Sequence, residues 1–447
     1  MAIEHWMMFS TFAEQRYFIY PDRTTYSIAV INGNMAAHAP TGLAAFLLEK
    51  TADLPYIIDP LTHAFQHDPV HIQNDSGEAK SSISKLATAY GEPIAGLAGS
   101  RPLRPKDLAD DGVLSAFVSQ CVEFQRCQLA DVMAKSPARK YVDKPLAALR
   151  PKAVVAPYFY MTETTVDAWS PVARRSVEFA LKVASGIPVY AAVVVGQGVL
   201  LDPRARAGVV SALGSLDVSG YLLWVDDFDE HEAGIAELKA LVAMARDLRS
   251  GGKKQVTNLH GGYFSILMAG ALGDSALSGV THGPEFGESR PVIPVGGGIP
   301  IARYYVPRLH ARVKYRDALR YFRAKKYLES AARFHESVCG CEVCRQTLQG
   351  EAARFVEFGK SELKQVKRGA GVVPIEFPTT ATKELCLKHY LQRKKMEFQM
   401  SAHADEDSIV RELQSGYDEY EEVVGLDGVA HLQRWAAAFG KIVGPTT

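Results

Sequence analysis

The sequence predicts an α/β chain built on a (β/α)8 TIM-like barrel and followed by a C-terminal zinc-binding helical subdomain. Two observations carry this prediction. Short apolar runs alternate with amphipathic helical stretches across residues 26–306, and three closely spaced cysteines follow them.

Eight runs have strand character: 26–31, 55–58, 153–161, 189–195, 220–225, 255–259, 277–281 and 292–295. Helical intervals at 166–184, 204–213 and 233–250 repeat apolar residues at i, i+3, i+4 and i+7 spacing. The last meets Gly251-Gly252, a natural stop because glycine reaches the left-handed cap conformation cheaply. Eight strands with intervening helices favour a closed parallel barrel over an open doubly wound sheet. Residues 66–144 are too long for a simple crossover. They hold a polar stretch (73–82) and a helical run (112–135), as an elaborated crossover or lid would. The expected organisation is a barrel over 1–330 with that insertion, a zinc-binding subdomain over 331–400, and a helical tail over 401–447. The tail is acidic in its middle, with Glu419, Glu421 and Glu422 in one short stretch, and acidic helix faces of this kind are usually solvated.

Composition narrows the function classes. With 447 residues and 47% apolar content the chain can bury a large core. Its formal net charge is zero, so a polyanionic partner must meet a local basic face. The start, Met-Ala-Ile-Glu-His-Trp, has neither the basic nor the apolar region of a secretory leader. No apolar stretch approaches the ~20 residues of a membrane helix. The expected setting is a reducing cytoplasm, where six cysteines are too sparse for a disulfide scaffold.

Cys339, Cys341 and Cys344 place three thiols within six residues, able to converge on one tetrahedral metal. Thiolate softness and tetrahedral geometry fit structural Zn2+. The fourth ligand is His389 in first place, with Cys386 as the alternative. Upstream lies a basic, tyrosine-studded stretch. Arg303, Arg308, Arg312, Arg316 and Arg320 stand among Tyr304, Tyr305, Tyr315 and Tyr321, with Asp317 as the local acid. Guanidinium groups hold phosphates and aromatic faces stack on bases, so this stretch is the candidate nucleic-acid surface.

In a barrel, chemistry sits at the C-terminal strand ends. Asp59, Gln197 with Gly198, Asp226 with Asp227, Asn258 with His260, and His282 all fall there. Together they suit a pocket that hydrogen-bonds a heteroaromatic base and supplies a carboxylate for attack or proton transfer. Gly296-Gly297-Gly298 lacks the residues of a phosphate loop and reads as a turn before Pro300.

These features together resemble the tRNA-guanine transglycosylase family, including its DNA-acting relatives. The match rests first on the Cys339-x-Cys341-x2-Cys344 run with its downstream histidine. Ile57-Ile58-Asp59 followed by Phe65-Gln66, Val195-Gly196-Gln197-Gly198, and Gly220-Tyr221 are similar to the family's active-site and base-recognition segments. The resemblance spans roughly residues 50–395 and implies exchange of guanine in tRNA or DNA for a 7-deazaguanine-type base through a glycosyl-enzyme. It implies base contacts from Gln197, Gly198, Asp226, Asp227 and His260, and acid/base or base-holding work for Asp59. Where the family carries its nucleophilic Asp, this chain has no Asp, and Glu285 is the nearest carboxylate. Gly-Gly-Leu of base recognition is replaced by Trp224-Val225-Asp226-Asp227. The rival expectation is a non-catalytic, zinc-stabilised nucleic-acid-binding subunit, as a homo- or hetero-oligomer. A small-molecule barrel hydrolase fits less well, because it needs no basic surface.

Overall fold

The computed structural model describes residues 3–19, 26–51, 54–74, 76–250, 254–272, 276–284, 288–293, 300–368 and 371–443. The chain divides into two compact units, Met1–Pro294 and Val295–Thr447.

In the first unit the strands are β1 (Glu4–Phe9), β2 (Ile28–Asn32), β3 (Tyr56–Asp59), β4 (Val154–Val155), β5 (Tyr160–Met161), β6 (Val189–Val195), β7 (Gly220–Val225), β8 (Gln255–Asn258) and β9 (Gly279–His282). They join in the order β3-β2-β1-β9-β8-β7-β6-β4, with β5 beside β6. Every pairing is parallel. Parallel strands carry helices on their faces and are therefore buried on both sides. All seven residues of β6 are accordingly buried. Alternate positions share one face by the two-residue period of a strand. Trp6, Met8, Ile28, Val30, Ile57, Ala192, Val194, Leu222 and Trp224 form one core cluster on that basis.

Three expectations are corrected here. The closed eight-stranded barrel is replaced by a parallel half-barrel, an eight-strand path with β5 beside β6 and with helices around it. The ladder path ends at β3 and β4 without a ladder between them among the described residues. One backbone bond, from Lys152 N–H to the Tyr56 carbonyl at 2.8 Å, links those edges. The expected strand 153–161 is split because Pro157 offers no amide hydrogen to a ladder. The eighth strand is β1, at the heart of the sheet between β2 and β9. The run expected at 292–295 has Val292 and Ile293 in a bend, and its remainder lies outside the described residues.

The second unit begins ahead of the boundary expected near residue 330. It holds two antiparallel ribbons that the helical expectation did not contain. These are β10 (Arg303–Val306) with β11 (Ala311–Lys314), and β12 (Ser361–Arg368) with β13 (Gly371–Pro378). Its long helices are Thr380–Ser401, Glu406–Val424 and Leu426–Val443. The first two start on side-chain caps, Thr379 accepting from Thr382 N–H and Asp405 from Ser408 N–H. No helix among the described residues is long and apolar enough to cross a membrane.

Candidate functional site

In the second unit, Cys339, Cys341, Cys344 and His389 are all buried, and their ligand atoms lie within 4.8 Å of one another. Cys339 precedes a short helix, Glu342–Leu348, that carries Cys344, and Cys341 is its N-cap residue. His389 enters from the helix Thr380–Ser401. Its Nδ1 stands 4.0, 3.3 and 3.4 Å from the sulfurs of Cys339, Cys341 and Cys344. Metal–sulfur bonds of about 2.3 Å and metal–nitrogen bonds of about 2.0 Å, at tetrahedral angles, place sulfur and nitrogen about 3.5 Å apart. Two of the three distances are close to that value and the third is about half an ångström longer, so the cluster could hold a metal ion with small shifts. Cys386 is set apart from it, its thiol directed at the Phe358 carbonyl at 3.4 Å.

The surroundings orient these ligands. His389 Nε2 donates to the Tyr305 carbonyl oxygen at 2.8 Å, which leaves Nδ1 with its lone pair toward the thiols. Tyr304 stacks on the imidazole, with ring centroids 4.2 Å apart and planes at 15°. Its hydroxyl lies 3.2 Å from Cys344 Sγ. Hydrogen bonds from Cys341 and Cys344 hold the Cys339 thiol well below its ordinary range, while burial pushes the Cys344 thiol well above it. A metal ion held by these four residues would take all three cysteines as thiolates.

The basic stretch folds differently from its sequence impression. Tyr304, Tyr305 and Tyr321 are buried, and Tyr315 stacks on Phe355 at 5.5 Å, so the rings belong mainly to the core. Arg303 donates to the Arg312 carbonyl, and Arg312 lies 5.0 Å over the Tyr390 ring. Distant acids join in. Arg308 approaches Glu419 at 3.6 Å, Arg316 meets Glu376 at 2.8 Å, and Arg320 meets the local Asp317 at 3.2 Å. Exposed pairs of this kind contribute about 0–1 kcal/mol.

In the first unit polar and aromatic side chains gather at the C-terminal ends of the strands. Asp59 closes β3 and is buried. Its Oδ1 accepts from the Tyr158 hydroxyl at 2.6 Å and from Leu61 N–H at 3.1 Å. Burial raises its pKa, an effect partly offset by the Tyr158 and Leu61 hydrogen bonds and by Arg290. His63 Nδ1 lies 3.0 Å from the same hydroxyl, and its ring stacks on Tyr158 at 5.3 Å. Trp224 stands edge-on between His63 and His260, at 5.0 and 4.8 Å. Burial lowers both histidines well below the ordinary range, with Arg290 adding to the effect. They are neutral rings at physiological pH.

The neighbouring strand ends add to this group. Asp226 accepts from the Tyr160 hydroxyl at 2.6 Å and from Val292 N–H at 2.7 Å. Gln197 spends its amide nitrogen on the backbone carbonyls of Asp226 and Asp227, each at 3.1 Å. Asp227 is exposed and holds a left-handed φ of 47°. A Cβ at Gly198 would fall 2.1 Å from a carboxylate oxygen of the exposed Glu163, whose side chain would have to turn aside. Asp59 thus meets Tyr158, Asp226 meets Tyr160, and His260 packs on Trp224. Asn258 instead bonds Ser265, and His282 packs against His5. Glu285 lies outside the described residues. Sequence reasoning missed Tyr158, Tyr160 and Arg290. The Pro157 that breaks the strand run was the available signal for the two tyrosines.

No family model matches the chain, and no curated protein matches it. Among solved structures, a probable tagatose 6 phosphate kinase from Sinorhizobium meliloti 1021 aligns over 98% of this chain and 100% of its own. Identity is 12% and the TM-score 0.30, a likeness too slight to establish a shared fold.

Proposed function

We propose that this chain is a divergent guanine transglycosylase, exchanging guanine in tRNA or DNA for a 7-deazaguanine-type base, with Zn2+ as a structural ion. The observation that supports it is Asp59, a buried carboxyl beside Tyr158, His63 and Trp224 at a parallel-strand mouth. Flat aromatic walls suit a purine, and a carboxyl of raised pKa suits proton delivery to a leaving base.

In this reading a carboxylate attacks the nucleoside C1′, the C1′–N9 bond breaks, and guanine leaves with the bonding pair and takes a proton. The incoming base then attacks C1′ through its own ring nitrogen, displaces the carboxylate, and loses a proton to a general base. Asp59 handles the proton or holds the base, and Glu285 is the proposed nucleophile. Asp226, fixed by Tyr160 and Val292, is better oriented for the base edge than Asp227. Four protein ligands leave the metal no open position, so it stabilises rather than reacts. Arg316 and Arg320 are the proposed phosphate contacts. The test is guanine exchange into tRNA and duplex DNA by wild-type protein and by Asp59→Asn.

A second reading keeps nucleic-acid binding and omits chemistry. It is favoured by Gln197, whose amide nitrogen already serves the backbone of Asp226 and Asp227. Tight binding without exchange on either polymer would select it.

A further inference from the structure

A cleft of about 430 Å³ opens in the second unit between the helix Tyr315–Ala324, the turn after it, and the segment Ala352–Gly359. Its lining is largely apolar, with Leu319, Leu328 and Val356 alongside Tyr315 and Phe355. The Tyr315 ring lies against Phe355, at 28° between planes. Gly359 permits the placement, because a Cβ there would sit 2.0 Å from the Tyr315 ring. The rim carries Arg323, Lys326 and Glu329. Glu329 is engaged by Arg333 at 2.7 Å, so the rim presents two cations over an aromatic and aliphatic wall. The volume falls within the range of small-ligand sites.

Lys326 ends the helix in the left-handed region, with φ of 59°, a position where glycine is the common and unstrained choice. A lysine in that conformation carries a backbone strain that glycine would relieve.

We infer that this cleft binds one nucleotide unit, its base against Tyr315 and its phosphate between Arg323 and Lys326. Arginine and lysine supply the phosphate contacts, and a base has the planar face that an aromatic wall selects. The nucleotide is either free or part of a polymer, and only the polymer source rests on the nucleic-acid reading above.

The test is calorimetric titration of the full-length protein with AMP, adenosine, inorganic phosphate and hexyl phosphate. AMP should bind saturably, with adenosine and phosphate each at least ten-fold weaker. Lys326→Gly relieves the left-handed strain, so it should keep or raise the melting temperature while weakening AMP at least five-fold. Arg323→Gln should weaken it similarly. A trinucleotide that displaces AMP assigns the site to a polymer, and one that does not assigns it to a free nucleotide. Wild-type affinity in Lys326→Gly, or hexyl phosphate binding as well as AMP, would overturn the inference. Asp59→Asn should leave AMP binding intact. Absent guanine exchange with Lys326-dependent AMP binding would therefore remove the transglycosylase reading and leave this one standing.

Discussion

His389 Nε2 donates to the Tyr305 carbonyl oxygen across 2.8 Å, and this single bond fixes which imidazole nitrogen faces the three thiols. The backbone of β10 thereby selects the ligand tautomer, a role usually filled in metal sites by an outer-shell carbonyl or carboxylate.

The first prediction follows from that arrangement. Purified protein should hold about one zinc per chain, and His389→Ala and Cys341→Ser should lose it. Cys386→Ser should retain it, because Cys386 faces Phe358. Structural zinc sites carry apparent binding energies of about 10–16 kcal/mol, so metal loss should also lower solubility and melting temperature. Metal analysis of the three variants decides it, and full zinc retention in His389→Ala would refute the ligand set.

The thiol motif was legible because chelation needs short, fixed spacing, which a sequence shows directly. The choice between Cys386 and His389 was less legible, since they lie three residues apart on one helix and differ only in what each meets. Val189–Val195 was readable to the residue because both faces are buried and every position is apolar. β1 was missed because its opening Glu4-His5 breaks the apolar run, although Trp6–Phe9 are buried. The tyrosines of the basic stretch looked like a stacking surface. Alternation in sequence does not say which face is covered, and Tyr304 and Tyr305 proved to be core.

Charge reversal separates surface arginines from packed ones. Arg316→Glu and Arg320→Glu should each flatten the salt dependence of nucleic-acid binding, by about 0.9 per lost phosphate contact on duplex DNA. Their pairs with Glu376 and Asp317 are exposed, so stability should change by less than about 1 kcal/mol. Arg312→Glu should instead lower the melting temperature, because Arg312 covers Tyr390. Filter binding across a salt series, with thermal melts, measures both. An unchanged slope would make those arginines a solvated face.

A buried ionic group gives an acid-stability prediction. Glu397 accepts from His310 at 2.9 Å and meets Lys394 at 3.0 Å, all three side chains being nearly inaccessible. Burial alone would raise its pKa, yet the Lys394 ammonium and the His310 hydrogen bond hold it at about 2. A depressed carboxylate contributes stability above its unfolded pKa and loses it as pH falls through the folded value. Denaturation should therefore show stability falling between about pH 4.5 and pH 2, with a shallower fall in Glu397→Gln. Lys394→Met should cost about 3–5 kcal/mol, because it strands a buried charge.

Asp59 runs the other way. Burial raises its pKa, so the folded state holds the proton more tightly than the unfolded state. Its contribution is complete below the ordinary aspartate range and is lost as pH rises through the raised value. Asp59→Asn removes that titration while preserving an acceptor for Tyr158. The variant should be as stable as wild type or more so near pH 7, measured by thermal melts at pH 5 and pH 8.

The most direct measurement is exchange of radiolabelled guanine into bulk tRNA and duplex DNA, run with wild type, Asp59→Asn and Glu285→Gln, with denaturing gels to trap a covalent adduct. Guanine transglycosylase chemistry predicts label in one polymer with wild type, suppression in Asp59→Asn without loss of binding, and no adduct in Glu285→Gln. Exchange that survives Glu285→Gln but disappears in Asp59→Asn would move the nucleophile to Asp59 or Asp227. No label in either polymer, from wild-type protein that still binds both tightly, would contradict catalysis and leave a binding subunit.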